Sequence, residues 1–112
     1  MNIEIQKKET GLLQVLFTGD LDYHVSSELR EKLSKVLEDK PSRVLLDFAS
    51  VGYMDSSGIA AFVEFSQKAK ASGTRMVFLN LTEPVRQVFT LAKLHLFFRL
   101  ADSEAEALKF LS

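Results

Sequence analysis

The distribution of hydrophobic and polar residues along the chain predicts strands and helices that follow one another in a regular order. Residues 3–7 alternate between apolar and polar side chains, which is typical of an edge strand with one wet face. Thr10 and Gly11 give a turn signal, and residues 12–17 form a more apolar strand that Gly19 is expected to end. These two strands are predicted to form an antiparallel hairpin.

From about Val25 the apolar residues recur at helical spacing. The apolar stripe of this predicted helix consists of Val25, Leu29, Leu33, Val36 and Leu37. Residues 40–42 contain a proline and are expected to end the helix.

A predicted strand-to-helix junction at residues 53–58 is the most informative stretch of the chain. Residues 44–48 read as a strand covered on both faces, and a helix is predicted from Ser57 with Asp55 or Ser56 as its N-cap. Gly73 is expected to end this helix in a left-handed conformation. Ser56 and Ser57 then lie beyond the C-terminal end of a strand, where open α/β sheets usually hold ligands and partners.

The rest of the sequence again predicts strands that alternate with helices. A strand at residues 76–79 precedes a helix capped by Thr82, and a last strand at residues 96–100 precedes a capping-box helix that follows Ser103. The predicted core face of the Thr82 helix is formed by Val85, Val88, Phe89 and Ala92. All phenylalanines, including Phe97 and Phe98, are expected in the core. The order ββαβαβαβα predicts an α/β fold with a mostly parallel sheet and an antiparallel N-terminal edge strand.

Length and composition narrow the possible classes of protein. The 112 residues are expected to form one domain, residues 1–112. The net charge of −1 gives no basic face for binding nucleic acid, and the lack of cysteine excludes disulfides. No apolar run approaches the roughly 18 residues of a membrane span, so no membrane insertion is expected, and a cytoplasmic location is the default.

No motif for catalysis or cofactor binding is present. The five glycines form no phosphate-binding loop, and the only two histidines, His24 and His95, are far apart in the sequence, so neither a cofactor nor a metal is expected. A G-x-S-x-G motif is absent, and the sequence places no histidine near Ser56. The chain is therefore expected not to be an enzyme.

Three segments, residues 19–22, 51–58 and 82–89, resemble the STAS family, named for sulphate transporter and anti-sigma factor antagonist domains. The resemblance covers essentially the whole chain, and Met-Asp-Ser-Ser-Gly at residues 54–58 is its most specific part. In the bacterial anti-sigma factor antagonists, the first serine of this motif is the phosphate acceptor, which corresponds to Ser56. Their acidic loop residue corresponds to Asp22.

The resemblance implies a regulatory binding protein. Its expected partners are an anti-sigma factor that is a serine kinase of the histidine-kinase-like ATPase fold, and a metal-dependent serine phosphatase that resets Ser56. The predicted contact surface comprises Asp22, Tyr23, Asp55, Ser56, Ser57, Gly58, Ala60 and Ala61. Many family members have glycine in the helical turn after this motif, where this chain has residues 59–62, and Phe62 is expected to alter the docking surface.

Two other interpretations remain open at the level of sequence. Ser56 and Ser57 could serve only as helix caps, and Asp22 only as a turn former. The chain could also be a non-switching STAS subunit of an ABC-type lipid transporter or a stress-signalling scaffold, in which the serine need not be phosphorylated.

Overall fold

The structure, a computed structural model, describes residues 1–112 and contains five strands and four α-helices in the predicted order. These elements are β1 (Asn2–Glu9), β2 (Leu12–Leu21), α1 (Ser26–Val36), β3 (Arg43–Met54), α2 (Ser56–Ala71), β4 (Arg75–Leu79), α3 (Glu83–Leu91), β5 (Leu100–Ala101) and α4 (Glu104–Leu111). A single 3₁₀ turn, Tyr23–Val25, joins β2 to α1, and a second one, Leu94–Leu96, follows α3. No helix of the molecule combines the length and the apolar character needed to cross a bilayer.

The five strands form one sheet in the simple order β1-β2-β3-β4-β5. Strand β1 pairs with β2 in antiparallel orientation, and the other neighbours are parallel. Because β2 to β5 are added in one direction, crossovers of the same hand bring α1, α2 and α3 to one face of the sheet. The predicted fold class is therefore confirmed, including the antiparallel N-terminal edge strand.

The core lies on both faces of this sheet, and it follows the two-residue alternation of the strands. Val44, Leu46 and Phe48 point to the face covered by α1, α2 and α3 and belong to the larger buried cluster. Leu45 points to the opposite face, where α4 covers a smaller cluster that includes Leu111. Strand β3 is thus apolar on consecutive residues because helices cover it on both sides.

The local signals at the helix ends are mostly confirmed. Asp55 is the N-cap of α2, and Gly73 follows its C-cap with φ of +74°. The Ser103 hydroxyl accepts a hydrogen bond from the amide of Glu106, as expected of a capped helix. Thr82 occupies the N-cap position of α3, but its hydroxyl donates instead to the carbonyl oxygen of Val51, at 2.6 Å, and so ties α3 to the C-terminal part of β3.

The predicted last strand, residues 96–100, is largely wrong. Lys93 adopts a left-handed conformation with φ of +59°, and the amides of Phe97 and Phe98 both bond to the carbonyl of Leu94. Only Leu100 and Ala101 pair with β4. The turn leaves Phe98 half-buried against the core but Phe97 80% exposed, so the expectation that every phenylalanine is in the core is wrong at Phe97.

Two further expectations are corrected. Gly19 does not end β2, because the strand continues to Leu21. Instead, Gly19 has φ of +99° and lies where the pairing with β3 shifts its register, which is the usual role of a glycine inside a strand. Ala92 is exposed, because α3 ends at Leu91 and the chain turns away from the sheet; Val88 is only half-buried.

Candidate functional site

The predicted acceptor serine lies at the first position of α2, immediately beyond the C-terminal end of β3. Asp55 precedes it in extended conformation, with φ of −110° and ψ of −173°, which is the usual geometry of an N-cap. Its Oδ1 accepts hydrogen bonds from the amides of Ser57, at 2.9 Å, and Gly58, at 3.2 Å. The start of α2 is therefore fixed by the residue just before Ser56.

The second oxygen of the same carboxylate holds a different part of the chain. Asp55 Oδ2 accepts a hydrogen bond of 3.1 Å from the amide of Tyr23, which lies in the loop between β2 and α1. Asp22 in turn caps the 3₁₀ turn of that loop, because its Oδ1 accepts a hydrogen bond from the amide of His24 at 3.0 Å. The loop of Asp22 and the start of α2 are thus joined into one surface.

Gly58 allows this close approach of the two segments. A Cβ atom added at Gly58 would lie 2.5 Å from the carbonyl oxygen of Leu21 and 3.0 Å from the Cγ of Met54. The amide of Asp55 donates to the same carbonyl oxygen of Leu21, at 3.4 Å. The glycine of the motif is therefore needed for packing against the end of β2, and its buried position leaves little of it for a partner to touch.

The two serines of the motif differ in their surroundings. Ser56 is exposed, and its hydroxyl makes no hydrogen bond within the molecule. Ser57 is half-buried; its amide donates to Asp55, and its hydroxyl likewise makes no hydrogen bond, so the two serines differ in exposure. The N-cap role that Ser56 could have filled belongs to Asp55, so the Ser56 hydroxyl is available to another molecule.

Around these serines the surface is acidic and aromatic. Asp20, Asp22 and Asp55 form no ion pair in the molecule. Tyr23 is 65% exposed, and its ring packs against the ring of His24 with 4.2 Å between centroids. Tyrosine rings at the surface can contribute a large contact area at low entropic cost.

Tyr53 and His24 also belong to this surface, although neither was predicted from the sequence. Tyr53 is 49% exposed and lies opposite Asp20 in the pairing of β2 with β3. A signal was available, because Tyr53 alternates with the buried Met54 at the end of a strand. His24 carries no such signal in the sequence; its stacking on Tyr23 and the hydrogen bond from its amide to Asp22 place it here.

The residues of the helical turn that follows the motif in α2 differ in burial. Ala60 is exposed, in the position expected for a contact residue. Ala61 is 1% exposed and belongs to the large core cluster, so its side chain is not available to a partner in this structure, contrary to expectation. Phe62 is completely buried against Phe17 and Phe48, and the expectation that it alters the docking surface is wrong.

No metal-binding cluster accompanies these residues: nowhere in the molecule do three or more His, Asp or Glu side chains gather where they could hold an ion. The surface thus exposes a serine hydroxyl, carboxylates and aromatic rings. Such a surface suits recognition by another protein.

Comparisons with known proteins identify the family of the chain. The family model of the STAS domain matches residues 2–107. The chain is similar to an anti-sigma-B factor antagonist of Listeria monocytogenes, with 25% identity over 95% of this chain and 93% of that protein. It is also similar to the anti-sigma-B factor antagonist of Bacillus subtilis, with 29% identity over 84% of each.

A solved structure with the same fold is the unphosphorylated form of SpoIIAA, an anti-sigma factor antagonist. It superposes with a TM-score of 0.73 and 21% identity over 98% of this chain and 97% of SpoIIAA; the phosphorylated form of this Bacillus protein superposes equally well. Since the family model spans residues 2–107, nearly the whole chain, the protein belongs to the STAS domain family.

Proposed function

We propose that this protein is an anti-sigma factor antagonist controlled by phosphorylation of Ser56. The unmodified protein binds an anti-sigma factor, a serine kinase of the histidine-kinase-like ATPase fold, and thereby frees a sigma factor for transcription. Phosphorylation of Ser56 by that kinase releases the antagonist, and a metal-dependent serine phosphatase restores it. The protein acts in the cytoplasm as a binding module and as a substrate rather than as an enzyme.

The observation that carries this proposal is the exposed hydroxyl of Ser56, which makes no hydrogen bond within the molecule and directly follows Asp55, the N-cap that also binds the loop of Asp22. The names of the relatives in Listeria and Bacillus support the general function. SpoIIAA, which shares the fold, has been solved in both phosphorylated and unphosphorylated forms. In our proposal the contact surface comprises Asp22, Tyr23, Asp55, Ser56, Ser57 and Ala60, to which we add Tyr53.

The charge of a phosphate explains why modification would release the partner. A phosphoserine carries roughly −1.5 to −2 charges at neutral pH. An unpaired charge buried at an interface costs on the order of 3–5 kcal/mol. Since about 1.4 kcal/mol corresponds to a tenfold change in affinity, the phosphate would weaken binding by roughly two to three and a half orders of magnitude. The carboxylates of Asp22 and Asp55 lie on the same surface and would add to the negative charge that the partner has to bury.

The test is affinity capture from a lysate of the native host with three baits: the wild-type protein, Ser56→Ala and Ser56→Glu. We expect the wild type and Ser56→Ala to retain a histidine-kinase-like ATPase and Ser56→Glu to lose it. The captured kinase, supplied with ATP, should phosphorylate the wild type and a Ser57→Ala control but not Ser56→Ala, as read by mass spectrometry of the peptide that contains Ser56.

Two results would contradict the proposal. Equal retention of the kinase by all three baits would show that charge at residue 56 does not control binding. Retention of transporter subunits by all three, without a kinase, would instead identify a constitutive assembly subunit.

A further inference from the structure

A second exposed surface lies at residues 91–99, which we call the tip. Leu91, Leu96 and Phe97 are 84%, 68% and 80% exposed, which makes them the three most exposed large hydrophobic side chains of the molecule. All three lie in the short stretch from the end of α3 to the residue after the second 3₁₀ turn. Nothing in the fold covers them.

The tip is well separated from Ser56. Phe97, Phe98 and Arg99 line a shallow groove together with Ser66 and Lys70 of α2. Ser66 and Lys70 follow the start of α2 by ten and fourteen residues, which at the helical rise of about 1.5 Å per residue corresponds to roughly 15 and 21 Å along the helix axis. Because the tip packs beside the C-terminal half of α2, it lies toward the opposite end of the helix from Ser56.

The charge at the tip is exclusively positive. No acidic residue occurs between Glu83 and Asp102, whereas the two formally charged side chains of the tip, Lys93 and Arg99, are both exposed. Lys93, Arg99 and the neighbouring Lys70 take part in none of the ion pairs of the molecule. The guanidinium of Arg99 lies over the ring of Phe110, 4.7 Å from its centroid, and keeps its charge there.

The other end of α2 carries the opposite charge, because Asp55 directly precedes Ser56 and binds the loop of Asp22, and Asp20 pairs with Tyr53 at the end of β3. A chain with a net charge of only −1 therefore has one acidic end and one basic, apolar end. Long-range attraction would turn the basic end toward an anionic surface.

We propose that the tip is a peripheral contact for an anionic membrane surface. Side chains as exposed as Leu91, Leu96 and Phe97 project from the protein, as needed to enter the boundary between head groups and acyl chains. Lys93 and Arg99 would then meet the lipid phosphates, because basic residues near an anionic leaflet are attracted to it. A second copy of the chain fits less well, because a two-fold contact would place these cations against their own counterparts.

This contact goes beyond the proposed function and does not depend on it. With the tip on the membrane, the Ser56 end would point away from the lipid, so that a partner protein could bind there at the same time. Phosphorylation would add charge at the far end of the molecule, beyond the screening length of roughly 8–10 Å. Membrane contact and the phosphorylation switch are therefore expected to operate independently.

The test is flotation of the purified full chain with vesicles of phosphatidylglycerol and phosphatidylcholine in equal parts, with pure phosphatidylcholine vesicles alongside. We expect the wild type to float with the anionic vesicles only, and less so as salt is raised. Leu96→Ser combined with Phe97→Ser should weaken partitioning about tenfold or more, since both substitutions remove apolar area that would be buried. Lys93→Glu should weaken it as well.

Matched controls separate this effect from general surface changes. Ile5→Ser removes an exposed apolar side chain from β1, and Lys7→Glu reverses an exposed charge there; both should float like the wild type. Ser56→Glu should also float like the wild type. Because the chain contains no tryptophan, Phe97→Trp provides a single fluorescent reporter, and its emission should shift to the blue with anionic vesicles.

Several results would overturn the proposal. The first is failure of the wild type to float with anionic vesicles, which would leave an acidic protein segment as the partner class for this surface. Flotation that the double serine variant retains would exclude the tip as the contact. Self-association without lipid, abolished by the same double variant, would assign the surface to a second copy of the chain.

Discussion

A single carboxylate organises the candidate site at the scale of individual residues. One oxygen of Asp55 caps α2, and the other accepts the amide of Tyr23 from a loop that is 32 residues away in the sequence. The position of Ser56 and the conformation of the Asp22 loop are therefore coupled through one side chain. Any partner that contacts both segments meets a preassembled surface. Little conformational entropy of these segments is therefore lost on binding.

Replacing Asp55 separates its two tasks. Asp55→Ala should lower the free energy of unfolding by about 1–2 kcal/mol, as is usual for loss of an N-cap, and should speed hydrogen exchange at the amide of Tyr23. Asp55→Asn keeps one acceptor oxygen for the cap, so it should retain most of the stability but still show faster exchange at Tyr23. Urea unfolding and amide exchange followed by NMR measure the two effects. Unchanged exchange at Tyr23 in Asp55→Ala would show that the contact does not hold the loop.

Gly58 provides a second prediction, because alanine there has no room. In an ordinary helix position alanine would stabilise relative to glycine by up to about 1 kcal/mol. At Gly58 the added methyl would lie 2.5 Å from the backbone carbonyl oxygen of Leu21, which cannot rotate away. Overpacking of this kind typically costs about 1–3 kcal/mol, so Gly58→Ala should destabilise the protein in urea unfolding.

The matched control for this substitution is Gly52→Ala. A Cβ atom at Gly52 would meet nothing within 4 Å, and its φ is not positive, so little change is expected. If Gly58→Ala unfolded at the same urea concentration as Gly52→Ala, the close approach of α2 to the end of β2 would not be required for stability.

Sequence reasoning reached part of this residue-level arrangement. It identified Ser56 and Asp55 because a cap and a motif are local signals. It did not find the hydrogen bond between Asp55 and Tyr23, which exists only because β2 and β3 pair in a register that places Leu21 opposite Met54. Contacts of that kind depend on strand register, which a local pattern does not fix.

At the scale of elements, α1 and α2 are joined on their outer side by a three-residue ion cluster. Arg30 of α1 donates a 3.0 Å hydrogen bond to Glu64 of α2, and Lys68 lies 3.4 Å from the same carboxylate. The hydrogen bond from Arg30, and secondly the one from Lys68, hold the pKa of Glu64 below its ordinary value of 4.5. The cluster therefore favours the ionised carboxylate in the folded state.

The direction of that shift sets a pH dependence. Because the pKa of Glu64 is lower in the folded than in the unfolded state, its stabilising effect is complete above the ordinary pKa of 4.5 and disappears as pH falls through the lower folded value. Glu64→Gln should therefore unfold at slightly lower urea than the wild type at neutral pH, and at the same urea in strong acid.

Glu31→Gln is the matched control, since Glu31 pairs with Lys35 at 3.7 Å within α1 alone. It should change little, because exposed pairs of this kind contribute little. A Glu64→Gln difference that persisted undiminished in strong acid would contradict an electrostatic origin.

Most elements were predicted from sequence, including the short strand β4, but the last strand was not. Helix α2 and strand β3 combine apolar spacing with a cap or a turn at each end, so their existence followed from sequence. Residues 96–100 are apolar without any such boundary, and the left-handed Lys93 with the turn after it leaves only two residues to pair with β4. A short apolar run does not distinguish a strand from a turn that exposes its side chains.

At the scale of the whole molecule, the helices α2 and α3 are fastened to the sheet by packed phenylalanine rings. Phe62 lies 5.3 Å from Phe17, 5.1 Å from Phe48 and 5.7 Å from Phe78 between ring centroids, so one residue of α2 contacts β2, β3 and β4. Phe78 continues the cluster to Phe89 of α3. The order of elements predicted this architecture, but not that Phe62 would contact rings from three strands.

Truncating the ring of Phe62 should affect the entire fold. Phe62→Ala is expected to cost about 3–5 kcal/mol, a large part of the roughly 5–15 kcal/mol that stabilises a domain. The same substitution at the exposed Phe97 should change stability by no more than about 0.5 kcal/mol. Thermal unfolding of the two variants measures the difference, and equal losses would contradict the assignment of Phe62 to the core and Phe97 to the surface.

Negative charge at residue 56 is expected to leave the fold as a whole intact. Ser56 is exposed at the N-terminus of α2, whereas the core lies between the sheet and the inner faces of the helices. Negative charge at residue 56 is therefore not expected to disturb buried packing. At a helix N-terminus such a charge is even favoured, by about 0.3–1 kcal/mol. Ser56→Glu should therefore unfold within about 1 kcal/mol of the wild type in urea, although we expect it to lose its kinase partner. If the same variant instead unfolded at much lower urea, loss of binding would reflect loss of the fold, and Ser56 would have to be regarded as a structural residue.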